Sequence, residues 1–123
     1  MPRKPTIPLE IHAEVQKLVD EFNKVNFKQS NPIMRALFGK THKPGYSARF
    51  KGGYLYLDRF DGVYTSPICR LAWNGKMDNW GFAIYKFSVD RYDPEEWFFP
   101  GANEVDGTIT GAMKAGMIAY EIR

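Results

Sequence analysis

Cysteine is almost absent from this chain of 123 residues, since Cys69 is the only one. A disulfide within the chain and a zinc site built from several cysteines are therefore excluded. No stretch reaches the roughly 18 apolar residues that a membrane-spanning helix needs, and no apolar segment follows the basic start at Arg3 and Lys4. These absences predict a cytoplasmic protein that is not associated with a membrane.

The motifs of common catalytic and phosphate-binding sites are missing as well. The sequence contains no GxxxxGK[ST] loop, no GxGxxG fingerprint, no GxSxG elbow and no HExxH pair. His12 and His42 stand apart from each other and from Cys69. The sequence therefore gives no catalytic residue, no metal ligand and no cofactor, and it favours a protein that is not an enzyme.

Charge of both signs is present, but it is divided along the chain. Residues 1–51 carry ten Lys or Arg and four Asp or Glu, whereas residues 52–123 carry seven and ten. The basic residues of the first part form no long run, so they are a weak indication of nucleic-acid binding.

The hydrophobic pattern predicts helices at the two ends of the chain. Apolar residues recur at helical spacing over residues 8–27, and residues 105–120 show a second helical pattern that Asp106 can cap. The first helix is expected to bury one face, formed by Ile11, Val15, Leu18, Val19, Phe22 and Val25.

Between these helices the period changes to two residues, which is the period of β-strands. Four strands are predicted, near 46–51, 54–60, 68–73 and 80–87, and glycine-containing turns separate the first three. We therefore expect an α+β fold in which a meander of about four antiparallel strands is flanked by N- and C-terminal helices. One domain would span residues 8–123, with a flexible tail at 1–7 and a long loop or insertion at 29–45.

Two motifs in the second half of the chain are distinctive, namely YDPEEWFFPG at 92–101 and VDGT at 105–108. The segment from Asp90 to Tyr120, which contains both motifs, resembles the C-terminal part of a family of short, uncharacterised prokaryotic proteins, in which segments like Leu55–Arg59 and Pro67–Ser88 precede the same corner. The resemblance covers about two thirds of the chain. It implies a single domain of unknown function, and it implies no activity and no catalytic residue.

The corner from Asp93 to Gly101 is the main candidate for a binding surface. Trp97, Phe98 and Phe99 are adjacent and cannot all point the same way, so at least one is expected at the surface or against a partner. We predict a non-catalytic interaction module that binds a protein partner or a second copy. Its face would comprise Arg70, Tyr85, Asp93, Glu96, Trp97, Phe98 and Phe99.

The residues of this corner also allow structural interpretations. The aromatic side chains can simply close the edge of the core. The run Asp93–Pro94–Glu95–Glu96 is typical of a helix start, with a cap, a proline and acids in the first turn. As alternatives, its carboxylates could bind Mg²⁺ or Ca²⁺, or serve as acid and base groups of a small enzyme.

Nucleic-acid binding is the second functional prediction. Basic residues of the first half could contact phosphates, while tyrosines on the polar face of the sheet stack on bases. Pairing between tyrosines of neighbouring strands is a sufficient structural reason for the same pattern. The residues predicted for this function are Lys40, Lys43, Arg49, Lys51, Tyr54 and Tyr56.

Overall fold

The structure is a computed structural model that describes residues 6–27 and 44–121. Helix α1 (Leu9–Asn26) comes first and helix α2 (Ile109–Ala119) last. The strands between them are β1 (Gly45–Lys51), β2 (Tyr54–Phe60), β3 (Thr65–Ala72), β4 (Gly81–Lys86) and β5 (Arg91–Asp93), and a 3₁₀ turn (Ala102–Glu104) precedes α2. The strands are antiparallel neighbours in chain order. The predicted α+β meander is therefore confirmed, with one more strand than expected. Almost all of the predicted loop at 29–45 lies outside the described residues.

Helix α1 packs on the sheet through Val15, Val19 and Phe22, which are buried. The prediction that Val25 shares this face is wrong, because its side chain is 83% exposed. The last turn instead presents Asn23, whose amide donates to the Tyr46 carbonyl and accepts from the Tyr46 N–H. Val25 lies two residues further on, about 200° around the helix, and so it faces away from the sheet.

Alternation along the strands gives the sheet two different faces. Leu55, Leu57 and Leu71 are buried toward the helices. A register shift after Leu57 also brings Ile68 into the core. The opposite side is called the open face, and it carries Arg49, Tyr54, Tyr56, Asp58, Arg70, Tyr85 and Tyr92.

Helix α2 begins later than the sequence predicts, and a different residue caps it. The Thr108 hydroxyl accepts from the Gly111 N–H at 2.9 Å, so Thr108 rather than Asp106 is the N-cap. The Asp106 carboxylate accepts from the Thr108 hydroxyl at 2.6 Å and from the Thr108 N–H at 3.0 Å. These bonds lower the pKa of Asp106. Asp106 therefore orients the cap instead of serving as the cap.

The C-terminal half of α2 is fastened to the sheet. Gly116 lies so close that an added Cβ would clash with the Tyr46 hydroxyl and come within 2.5 Å of Ile68 Cγ2. That hydroxyl donates to the Met113 carbonyl at 2.7 Å. The buried Arg59 donates to the Gly116 carbonyl at 3.1 Å and also to the Tyr120 carbonyl. The Arg59 cation thus satisfies carbonyl groups at the negative end of α2, and the Tyr46 hydroxyl bonds to a carbonyl about one turn earlier.

Replacing Gly116 tests this close approach. Alanine usually stabilises a helix interior by about 1 kcal/mol relative to glycine. Here we expect Gly116→Ala to lower the free energy of unfolding, measured with urea, by about 1–3 kcal/mol, because the added methyl overpacks the contact. Lys114→Ala, on the exposed side of the same helix, is the control and should change it by about 0.5 kcal/mol or less. A gain in stability for Gly116→Ala would contradict the packing described.

Candidate functional site

After Asp93, the rest of the corner is irregular, so the prediction of a helix start at Asp93–Glu96 is wrong. The Asp93 carboxylate accepts from the Glu95 N–H at 3.0 Å, and the Glu96 carboxylate accepts from the Phe98 N–H at 2.7 Å. Acidic side chains commonly bind their own backbone two residues on, which stabilises turns. Asp93 is also the last residue of β5, paired with Ile84. The acids therefore fold the chain back rather than start a helix.

The three aromatic residues of the corner lie in different environments. Phe99 packs on the core, and its ring centroid is 5.8 Å from that of Phe82. Trp97 also contacts Phe82, at 6.0 Å, but 47% of it is exposed. Phe98 is 99% exposed. Closing the edge of the core therefore explains Phe99 and part of Trp97, and it does not explain Phe98.

Gly101 fixes the corner against α2. Its φ is +94°, and an added Cβ would lie 2.6 Å from the Ala115 carbonyl oxygen and 3.0 Å from Ile118 Cβ. Glycine is favoured in such a conformation and leaves room for the neighbouring backbone. The exposed aromatic residues are thus carried by a segment that packs on the helix.

A groove of about 310 Å³ lies between the end of β4, the corner and the C-terminal end of α2. Its volume is at the lower end of the range for ligand-binding clefts. Tyr120 forms part of one wall, where its hydroxyl donates to the Tyr85 carbonyl and its ring meets that of Phe87. We call it the corner groove, and it is lined by Ile84, Lys86, Phe87, Ser88, Glu96, Phe98, Phe99, Pro100, Ala119 and Tyr120.

One lysine holds two carboxylates of the corner together. Lys86 Nζ is 3.0 Å from Glu96 Oε2 and 3.7 Å from Asp93 Oδ2. The hydrogen bond from the Phe98 N–H lowers the pKa of Glu96, and Lys86 lowers it further by a smaller amount. Glu96 in turn raises the pKa of Lys86. Both groups are therefore charged at neutral pH. Exposed ion pairs add little stability, so the main effect of this contact is to position the corner on β4.

The surroundings of the corner groove are apolar and acidic. Val89 and Ile118 are 51% and 43% exposed, in addition to Trp97 and Phe98. Residues 86–101 contain four Asp or Glu and two cations, Lys86 and Arg91. Exposed large apolar side chains at one end of a small domain are typical of interaction sites.

The seven residues predicted to form one binding face lie on two surfaces. Asp93, Glu96 and the three aromatic residues belong to the corner. Arg70 and Tyr85 belong to the open face, because Tyr85 alternates with Ile84, which points to the helices. Sequence reasoning missed Lys86, Phe87 and Tyr120, which line the corner groove. Alternation along β4 places Lys86 on the same side of the sheet as Phe82 and Ile84. This alternation is visible in the sequence and could have predicted the position of Lys86.

The structure brings together four of the six residues predicted for nucleic-acid binding. Arg49, Lys51, Tyr54 and Tyr56 share the open face, because Lys51 pairs with Tyr54 and Arg49 with Tyr56. The Arg49 guanidinium lies 4.6 Å from the centroid of the Tyr56 ring, and Lys51 is exposed at the end of β1. Lys40 and Lys43 lie outside the described residues. Tyr92 joins the open face through β5, a strand that the sequence pattern did not predict.

Within residues 6–27 and 44–121, no group of three or more His, Cys, Asp or Glu is placed to hold a metal ion. No helix in these ranges is long and apolar enough to cross a membrane. Comparison with protein-family models, curated proteins and solved structures finds no match to this chain. The resemblance to a family of short prokaryotic proteins therefore stays a prediction, and the interpretation of the site depends on its geometry.

The pKa of Glu96 offers a local test of the corner. The Phe98 amide resonance in NMR should titrate with Glu96 at a midpoint below that of an ordinary glutamate, because the charged form holds the Phe98 N–H and Lys86. A carboxyl with a lowered folded-state pKa stabilises the fold above its unfolded-state pKa. This contribution is lost as the pH falls through the folded-state pKa.

Lys86→Met should raise that midpoint part of the way to the ordinary value, since the lysine is the second cause after the Phe98 N–H. Glu96→Gln is the control and should abolish the titration. An ordinary midpoint in the unmodified protein would contradict the contacts described.

Proposed function

We propose that this protein is a non-catalytic binding module whose corner groove takes a short segment of a partner protein. The segment carries an apolar anchor residue beside Lys or Arg. The observation that carries the proposal is the position of Phe98, which is 99% exposed at the rim of a groove with apolar walls.

The structure around Phe98 suits binding of this kind. Phe98 and Trp97 expose large apolar surfaces to water. Burying those surfaces against a partner contributes favourably to the free energy of binding. The corner is positioned before binding by Gly101 on α2 and by Lys86 on Glu96. A positioned surface loses less conformational entropy on binding, which raises affinity.

Charge selects the kind of partner. Residues 86–101, which run from the end of β4 through the corner, carry four acids against Lys86 and Arg91, a net charge of −2. Lys86 is already engaged with Asp93 and Glu96. A cationic segment would therefore be attracted, whereas a second copy would bring two acidic surfaces together at a cost in free energy. For this reason the partner we propose is a different protein.

We also propose that the module acts in the cytoplasm. Its single cysteine, Cys69, is a buried free thiol, which suits a reducing compartment.

Selection from a random peptide library displayed on phage tests the binding site. We expect peptides recovered on the unmodified protein to carry an aromatic or leucine residue next to Lys or Arg. Phe98→Ala should weaken a recovered peptide by about 30-fold or more, the loss typical of an aromatic residue that contributes strongly to binding. Calorimetry with the synthetic peptide measures this change. Trp97→Ala should weaken the same peptide, by a smaller factor because Trp97 is only half exposed.

Leu9→Ala provides the matched control. Leu9 is 80% exposed, and it lies near the β1–β2 turn, at the other end of the sheet from the corner groove. Its replacement should leave peptide affinity unchanged. The proposal fails if Phe98→Ala binds the peptide as tightly as Leu9→Ala does, or if recovered peptides are acidic. It also fails if sedimentation reveals a dimer that Phe98→Ala dissociates, since the groove then serves a second copy.

A further inference from the structure

The open face carries a second surface with a different chemistry. Cross-strand register places Arg49 opposite Tyr56, and Tyr56 opposite Arg70. The Tyr92 ring reaches across from β5, so that its centroid is 5.3 Å from that of Tyr56 and 5.1 Å from that of Tyr85. Aromatic and arginine side chains from all five strands thus form one continuous array.

Both arginines of this array lie over tyrosine rings. The Arg70 guanidinium is 4.4 Å from the centroid of the Tyr54 ring and 5.7 Å from that of Tyr92. Arg49 lies over Tyr56 at 4.6 Å. Tyrosine rings and guanidinium planes are the groups on which nucleobases stack, and such stacking tolerates any base.

The open face is also basic, in contrast to the corner. Arg49 is paired with Asp58 at 3.0 Å. Arg70 has no carboxylate within ion-pair distance among the described residues. Lys51 is exposed at the end of β1. With one acid against three cations, this side can hold phosphates while the rings hold bases.

We infer that the open face binds single-stranded nucleic acid through its unstacked bases. Tyr54, Tyr56 and Tyr92 are half-buried and present part of their rings on one side of the sheet, whereas Tyr85 is buried beneath them; the three partly exposed rings suit bases that are free to lie on them. The bases of a duplex are stacked on one another, and their flat faces are not accessible to such a surface. This site is separate from the corner groove, so neither proposal depends on the other.

Fluorescence anisotropy tests the inference with a labelled DNA strand of mixed sequence, roughly 12 nucleotides long, and with the matching duplex. At low salt the protein should bind the single strand at least tenfold more tightly than the duplex. Each phosphate contact on a single strand contributes about −0.7 to the slope of log affinity against log salt. Two or three contacts therefore predict a slope of about −1.4 to −2.1.

Substitutions distinguish the contribution of base stacking to affinity from the contribution of positive charge. Arg70→Gln and Tyr92→Leu should each weaken binding by about fivefold or more. Arg70→Lys keeps the charge but loses the flat guanidinium. It should therefore recover only part of the affinity that Arg70→Gln loses. Lys17→Gln removes one positive charge from the exposed side of α1, away from the open face, and it should have little effect. Circular dichroism and thermal unfolding confirm that each variant is folded.

Absence of binding to the single strand at low salt overturns the inference. Equal binding of strand and duplex overturns it as well, and so does an equal loss in Lys17→Gln and Arg70→Gln, since either result indicates charge alone. If a peptide selected on the unmodified protein shifts the resonances of Tyr56 and Arg70 and the DNA strand does not, the open face is a protein-binding surface.

Discussion

The contact between α2 and the sheet at Gly116 is the constraint on which the rest of the structure depends. The glycine lets the helix approach until the Tyr46 hydroxyl bonds to its backbone, and Arg59 then satisfies carbonyls at its C-terminal end. That end supplies one wall of the corner groove, and Gly101 packs the corner against the same helix. A shift of α2 would therefore move a wall of the groove and the segment that carries Phe98.

Strand alternation divides the surface of the molecule into two regions of opposite character. The corner groove lies where helix, corner and sheet meet, and the region around it is apolar and acidic. The open face carries tyrosines with arginines over their rings, and it is basic. The two proposed sites use opposite sides of one sheet, because residues that are adjacent in the chain, such as Ile84 and Tyr85, point to opposite sides.

The sequence predicted the elements because their signals are local. Helical spacing places Val15, Val19 and Phe22 on one face, and Gly52–Gly53 marks a turn. It failed where side chains form hydrogen bonds or ion pairs that the local sequence pattern does not show. Lys86 engages the acids that resemble a helix start, Thr108 replaces Asp106 as the cap, and Asn23 turns Val25 outward. The corner was predictable from three adjacent aromatic residues, but its separation from Arg70 and Tyr85 depends on strand register, which the pattern of single strands does not reveal.

We propose the exposed corner beside α2 as a docking surface. An NMR titration of the isotope-labelled protein with a peptide selected on it tests this proposal directly. We expect shifts concentrated at the amides of Phe87, Phe98, Phe99 and Tyr120, with those of Tyr54, Tyr56 and Arg70 unchanged. Shifts centred on the open face, or spread evenly over the sheet, would contradict it.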